Sequence, residues 1–160
     1  MQDGKMKIIP TDELNDRLEG MKPEQLDSYL KENRESLTDD PKGFYYYFRN
    51  VLDEKNIRLK DVYSFAGVSE SYGSKIVTME KHTKNRDLII RLCIAGHFSW
   101  DETSRALKLY GMNGLYAKDP RDACIIVAVN NRIFDLCEID ELLSKQGLKK
   151  LSEEESLIIS

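Results

Sequence analysis

The chain has 160 residues, of which 32% are charged, and a formal net charge of −4 at pH 7. That length allows one ordinary hydrophobic core with attached segments, and the sequence contains no apolar run of the roughly 18 residues that a membrane helix needs. The N-terminal stretch MQDGKMKIIP is too short and too mixed for a signal peptide, so we expect a cytoplasmic protein.

The three cysteines give no sign of a disulfide or a metal site. Cys93, Cys124 and Cys137 stand among apolar neighbours, without a CxxC pair or a paired histidine spacing. We therefore expect buried thiols in a reducing compartment, and no cofactor.

The charge is unevenly distributed along the chain. Residues 1–42 carry 7 basic and 11 acidic side chains, and residues 92–160 carry 8 and 11. Residues 43–91 carry 9 basic and 6 acidic side chains, which makes this the one net-positive block. A surplus of three positive charges mildly favours a nucleic-acid partner for the central block.

The first elements in chain order are helical. Leucines at three-to-four-residue spacing predict an acidic helical pair over roughly residues 11–37, with Pro23 in the first turn of its second helix. Asp40 is then expected to cap a helix that begins at Pro41.

The next helix contains the aromatic block FYYYF. Such a block suggests a stacking platform for single-stranded nucleic acid, but five consecutive helical residues point in all directions. We therefore predict core packing for most of them and rim positions for Tyr45 and Tyr46. The predicted apolar face consists of Phe44, Tyr47, Phe48, Val51 and Leu52.

A helix–turn–helix pattern lies in the positive block. Residues 59–65 are predicted to form a short helix, with Val62 and Phe65 facing inward. Gly67 would allow left-handed backbone in the turn, and Val68 would fill the space between the two helices.

The second helix of this pattern is predicted to run from its N-cap, Ser69, to about Met79. Tyr72 and Ile76 would face inward. In helix–turn–helix proteins the N-terminal residues of this second helix face the major groove.

Downstream, the chain nearly repeats itself. The segment RDLIIRLCIAGHFSWDETSRALKLYGMNGL, from Arg86, aligns with RDACIIVAVNNRIFDLCEIDELLSKQGLKKL, from Arg121, with one inserted residue. In each copy an Arg-Asp pair opens an apolar helix, and after a break a second helix ends in glycine. Ser99 with Glu102 and Asp135 with Glu138 are expected to form capping boxes at the start of these second helices, and Asp119 before Pro120 is expected to begin the second copy. A period of about 35 residues predicts stacked helical hairpins. Because no β-pattern of useful length is present, we predict an all-α fold.

One stretch resembles a known family. The residues NIRLKDVYSFAGVSESYGSKIVTMEKHTKNRDLIIRLCIA are similar to the lambda-repressor-like, or XRE-type, helix-turn-helix family. The resemblance covers roughly residues 44–97, and the phrases SYGSKI, KNRD, LYAKDPRDA and IDELL are similar to clostridial-type regulators. It implies a lambda-repressor-like helical bundle and double-stranded DNA as the partner.

The resemblance also implies particular DNA contacts. The residues in base-contacting positions are Glu70, Ser71 and Lys75. The residues in phosphate-contacting positions are Ser69, Lys81, Lys84 and Arg86. Lysine can donate to guanine, glutamate can accept from cytosine, and a helix N-terminus favours phosphate.

Three positions depart from the family pattern. Leu59 replaces a glutamine that contacts phosphate, and Tyr63 replaces a small alanine. Gly73 lies inside the second helix, where glycine costs about 1 kcal/mol relative to alanine. Gly73 therefore indicates one of two things. Either the backbone approaches DNA or another helix closely at this position, or the helix is poorly formed.

These patterns divide the chain into four predicted parts. They are an acidic N-terminal segment (1–42), a helix–turn–helix domain (43–97), helical hairpins packed on it (98–148) and a C-terminal tail (149–160). The sequence of these last twelve residues is also compatible with a final segment that packs on the rest of the chain.

Two functions are compatible with the sequence. The first is a DNA-binding transcriptional regulator, expected to be a homodimer because one recognition helix contacts only a half-site. The second is a non-catalytic helical adaptor that has lost DNA binding and uses the C-terminal hairpins to bind a protein partner. The three family departures favour the adaptor, and the cationic segment favours the regulator. An enzyme is not predicted, since phosphate-loop, nucleophile-elbow and metal-triad motifs are missing from the sequence.

Overall fold

The structure, a computed structural model, describes residues 11–32 and 42–152. These two stretches contain α-helices and one short 3-10 helix, without a strand, which confirms the predicted all-α class. None of these helices combines the length and apolarity needed to cross a bilayer.

The helices follow one another with short connections. In chain order they are α1 (Thr11–Glu19), α2 (Leu26–Glu32), α3 (Gly43–Lys55), α4 (Leu59–Ala66), α5 (Glu70–Val77), α6 (Arg86–Ala95), α7 (Trp100–Leu109), α8 (Pro120–Asn130) and α9 (Leu136–Lys145). The 3-10 helix Pro23–Gln25 leads into α2, as the position of Pro23 predicts.

The predicted acidic helical pair is present as α1 and α2. Leu14 and Tyr29 are buried, whereas the other leucines of the pair are 44–48% exposed. The predicted end of the pair, and the predicted cap Asp40 with Pro41, lie outside the described residues. Helix α3 begins at Gly43.

The aromatic block of α3 packs as predicted. Phe44, Phe48, Val51 and Leu52 are buried, and Tyr47 is partly buried against the core. Tyr45 and Tyr46 are only partly buried, and their rings contact each other. The block therefore contributes mainly to the hydrophobic core.

Helix α6 lies at the centre of the core, with α4, α7 and α9 packed around it. All residues from Leu88 to Ala95 are buried, including Arg91. The Arg91 guanidinium donates to the backbone carbonyls of Ala66, at 3.1 Å, and Leu151, at 3.3 Å. Leu151 is 1% exposed, so the core extends past residue 149, where the sequence predicted a tail.

The two predicted hairpins are α6–α7 and α8–α9, and ion pairs join them reciprocally. Arg86 Nη2 lies 2.9 Å from Asp122 Oδ2, and Arg121 Nη1 lies 2.8 Å from Asp87 Oδ1. The arginine that opens each copy of the repeat thus pairs with the aspartate that opens the other copy. Asp122 is 4% exposed, so its carboxylate is buried, whereas the Arg86 side chain is 30% exposed.

Each of these arginines also closes its own hairpin. Arg86 donates to the backbone carbonyls of residues 113–114, and Arg121 donates to those of residues 149–150. The equivalent contacts confirm that the sequence repeat is a structural repeat.

The turns inside the two hairpins match as well. His97 and Arg132 both have left-handed backbone, with φ of 60° and 59°. The next residues, Phe98 and Ile133, each donate their N–H to a carbonyl of the preceding helix, at 3.0 and 2.9 Å. Phe134, which follows Ile133, has no counterpart in the first copy and is therefore the inserted residue.

Helix caps are mostly those that the sequence predicts. Ser99 and Glu102 form a reciprocal capping box, and Asp119 accepts hydrogen bonds at the start of α8. Asp135 caps α9 by accepting from the Cys137 N–H, without the predicted box with Glu138.

The prediction of three buried thiols was wrong for two of them. Cys93 on α6 is completely buried, Cys124 on α8 is partly buried and Cys137 on α9 is exposed. Burial raises the pKa of the Cys93 thiol, and it also raises the pKa of the less buried Cys124 thiol.

The predicted inward position of Phe65 was also wrong. The buried stripe of α4 consists of Val62, Tyr63 and Ala66, with Leu59 partly buried beside it. Phe65 lies about one quarter of a turn away from this stripe and is 69% exposed. Tyr63 therefore takes the core position that periodicity suggested for Phe65.

Candidate nucleic-acid interface

The connection between α4 and α5 is a three-residue turn. Gly67 has left-handed backbone (φ 74°), and the Val68 N–H donates to the Tyr63 carbonyl at 3.1 Å. Val68 is partly buried against the core, and Ser69 Oγ accepts from the Tyr72 N–H at 3.1 Å. The left-handed glycine and the serine cap are confirmed, and the space between the helices stays the predicted place of Val68.

Helix α5 is shorter than predicted and ends at Val77 rather than near Met79. The Thr78 hydroxyl donates to the Ser74 carbonyl at 2.8 Å, and Met79 has left-handed backbone (φ 66°). Left-handed backbone cannot continue a right-handed helix, so the chain leaves α5 at this point.

Gly73 is explained by close approach to another helix. A Cβ atom at this position would lie 2.6 Å from Cδ1 of Tyr63, which is too close for any real contact. Gly73 is buried, so the approach comes from α4 and not from the solvent side. The large residue on α4 and the missing side chain on α5 thus compensate each other.

The exposed face of α5 carries the side chains that the family resemblance singles out for base contact. Glu70, Ser71 and Lys75 are exposed, whereas Ile76 and Val77 on the opposite face are buried. Burial of one face anchors the helix, which leaves the other face and its N-terminal end free to contact a ligand.

Two contacts hold the loop after α5 against this helix. The Lys81 N–H donates to the Lys75 carbonyl at 3.0 Å. Lys81 Nζ lies 5.6 Å from the ring centroid of Tyr72, a cation–π contact. Lys81 is exposed and is held next to α5 by both contacts.

Tyr110, the C-cap residue of α7, contacts this loop. Its hydroxyl oxygen accepts from the Thr83 N–H at 3.3 Å and lies 3.3 Å from the Ile76 carbonyl, to which it can donate. The His82 ring stacks on the Tyr110 ring at a centroid distance of 4.6 Å. Burial raises the pKa of Tyr110, so its hydroxyl remains protonated.

The predicted phosphate-contacting residues have different surroundings. Ser69, Lys81 and Lys84 are exposed. Arg86 is 30% exposed, and its Nε, Nη1 and Nη2 atoms all donate to groups within the chain. Arg86 therefore joins the two hairpins. It is not among the DNA contacts that we propose below.

The charge of this surface is modest. Lys75, Lys81 and Lys84 are exposed, but so are Glu70 and Glu80, which leaves one net positive charge. Arg49 on α3, which the sequence did not single out, is a further exposed cation, and it lies near Tyr63. Its guanidinium carbon lies 5.7 Å from the Tyr45 ring centroid.

Comparison of the chain with protein-family models, curated protein sequences and solved structures gave no match.

Proposed function

We propose that the protein is a DNA-binding transcriptional regulator in which α5 enters the major groove of double-stranded DNA. The observation that carries the proposal is the arrangement of α5 and the loop that follows it. The helix presents Glu70, Ser71 and Lys75 to solvent, and Lys81 is held beside this face by backbone and cation–π contacts. A helix with exposed N-terminal residues can contact base edges in the major groove, and cations beside it can contact phosphates.

The three exposed residues of α5 would contact bases. Lys75 would donate to the O6 and N7 atoms of guanine, and Glu70 would accept from the N4 amino group of cytosine. Ser71 can donate or accept. These contacts determine sequence preference, because the patterns of donors and acceptors in the major groove differ between base pairs.

The flanking residues would contact phosphates. Lys81 and Lys84 supply two exposed cations. Ser69 uses its oxygen as an acceptor for the helix cap, so its hydroxyl hydrogen can still be donated to a phosphate. Phosphate contacts fix the position of the helix on the duplex and make the affinity depend on salt.

The proposal includes a homodimer. One α5 helix contacts only a half-site, and two-fold related half-sites one helical turn apart are the usual solution for such proteins.

Variants of the lysines test the proposal on the duplex that the protein prefers. Lys75→Ala is expected to lower affinity by about 1–3 kcal/mol and to relax the preference at one base pair. Replacing both Lys81 and Lys84 by alanine is expected to reduce the slope of log affinity against log salt by about 1.8 per protomer, without changing the preferred sequence.

The matched control replaces Lys118 and Lys145, two exposed lysines outside α5 and its loop, with alanine. It removes the same charge and is expected to change the salt slope far less. Equal effects of the control and the Lys81, Lys84 double variant would mean that DNA does not bind at α5.

The adaptor alternative is supported by a different observation, the small net charge of this surface together with the 69% exposure of Phe65. If the protein does not bind duplexes even at low salt, the adaptor function becomes the better account.

A further inference from the structure

A surface groove opens beside Phe65, apart from the residues of α5 and its loop. Its volume is about 710 Å³, and it lies between α4, the turn after α6 and the connection from α8 to α9. Phe65 is the most exposed large hydrophobic side chain among the residues that the structure describes. Ile133, Phe134 and Leu136 supply the partly buried apolar lining on the other side.

Phe134 makes this groove specific to the second copy of the repeat. It is the inserted residue, and its ring stacks on His97 with a centroid distance of 4.6 Å and an interplanar angle of 9°. The guanidinium carbon of Arg132 lies 5.8 Å from the same ring. The groove wall is therefore an ordered aromatic surface.

The groove carries both signs of charge. Arg132, Asp135 and Glu138 line it and are exposed, and Asp135 accepts from the Cys137 N–H as the cap of α9. Neither Arg132 nor Glu138 forms an ion pair within residues 11–32 and 42–152. An aromatic knob, an apolar hollow, a cation and an anion thus occur together on one patch.

We propose that this patch is the interface of a two-fold symmetric homodimer. Phe65 of each protomer would enter the groove of its partner, and Arg132 would face Glu138 of the partner subunit. A two-fold interface joins the same patch on both subunits, so the patch must be complementary to itself. The Phe65 groove contains both members of each complementary pair, an exposed aromatic ring with an apolar lining and a cation with an anion. This inference rests on the proposed function in that it assigns the interface of its homodimer, but its tests use no DNA, so they can fail without DNA binding failing.

The first test measures self-association of the full chain without DNA, by sedimentation velocity over a concentration series. The wild-type chain is expected to dimerise, and Phe65→Ser is expected to weaken the dimer at least about tenfold, because buried aromatic anchors dominate interface energies. The control is Val127→Ser, since Val127 is 57% exposed and lies outside the groove. A wild-type monomer, or a dimer that Phe65→Ser leaves intact, would overturn the proposal.

The second test exchanges charges across the interface. Arg132→Glu and Glu138→Arg are each expected to weaken the homodimer, because each places like charges opposite one another. An equimolar mixture of the two variants is expected to recover dimers, since the two-fold arrangement then pairs position 132 of each chain with an opposite charge at position 138 of the other. Recovery would not follow from a folding defect, and a mixture that remains monomeric would contradict the proposed pairing.

Discussion

The ring of Tyr63 occupies the space that a side chain at position 73 would need. A Cβ atom on Gly73 would lie 2.6 Å from Tyr63 Cδ1 and 2.9 Å from its Cε1. Tyr63 is 4% exposed, so its ring cannot move into solvent without opening the contact between α4 and α5. The two unusual residues of the motif therefore form one packing unit.

This packing predicts that Gly73→Ala changes the free energy of unfolding in opposite directions in the wild-type chain and in a Tyr63→Ala variant. Gly73→Ala in the wild-type chain is expected to destabilise, because overpacking costs about 1–3 kcal/mol while better helix propensity returns about 1 kcal/mol. In a Tyr63→Ala background the same substitution is expected to stabilise by up to about 1 kcal/mol. Urea unfolding of the four chains measures both effects. Additive effects would show that the two residues do not compete for space.

The reciprocal ion pairs predict a large loss of stability when one partner is removed. Arg86→Ala removes the cation that pairs with the buried Asp122 carboxylate, to which the Tyr116 N–H still donates. Because Arg86 itself is 30% exposed, we expect a cost near the lower end of the range for buried pairs, about 3 kcal/mol of unfolding free energy. The control is Arg58→Ala, since Arg58 pairs with Asp61 on the surface and is expected to contribute less than about 1 kcal/mol. Chemical denaturation measures both, and comparable losses would argue against the role assigned to Arg86.

The hydrogen bonds of Tyr110 predict a local effect on the loop after α5. Tyr110→Phe removes the hydroxyl that accepts from the Thr83 N–H, while it preserves the ring under His82. Amide hydrogen exchange is expected to be faster at Thr83 and unchanged in the buried part of α6, with a global cost of about 0.5–1.5 kcal/mol. Unchanged exchange at Thr83 would mean that Tyr110 does not order the loop.

The positions of the three cysteines predict an order of reaction with a thiol reagent. Cys137 is expected to react first because it is exposed, and Cys124 more slowly. Cys93 is expected to react only upon unfolding, since burial removes access and raises its pKa. Mass spectrometry of labelled peptides identifies each site over time. Early labelling of Cys93 would contradict the central position of α6.

Local features of the fold could be predicted from the sequence. The Ser69 and Asp119 caps, the left-handed Gly67 and the repeat from Arg86 depend on residues near one another in the chain. For such features the residue type itself specifies the geometry, because capping oxygens and glycine act on the adjacent backbone.

Features that depend on distant partners could not be predicted. Arg86 resembles a phosphate-contacting residue until Asp122, 36 positions away, is placed beside it. Phe65 fits the helical period almost as well as Tyr63, and the ring that is buried is the one that lies against Gly73 on the neighbouring helix. Even so, the repeat of the Arg-Asp pair was a signal that the two pairs could exchange partners.

Sequence-selective binding of duplex DNA by α5 and its loop can be tested with the purified full chain. The experiment selects duplexes from a randomised pool and then measures affinity over a salt series. We expect enrichment of a sequence with two-fold related half-sites, and log affinity that falls linearly with log salt. Failure to enrich any sequence, with no binding even at low salt, would contradict the DNA-binding proposal and favour the adaptor function.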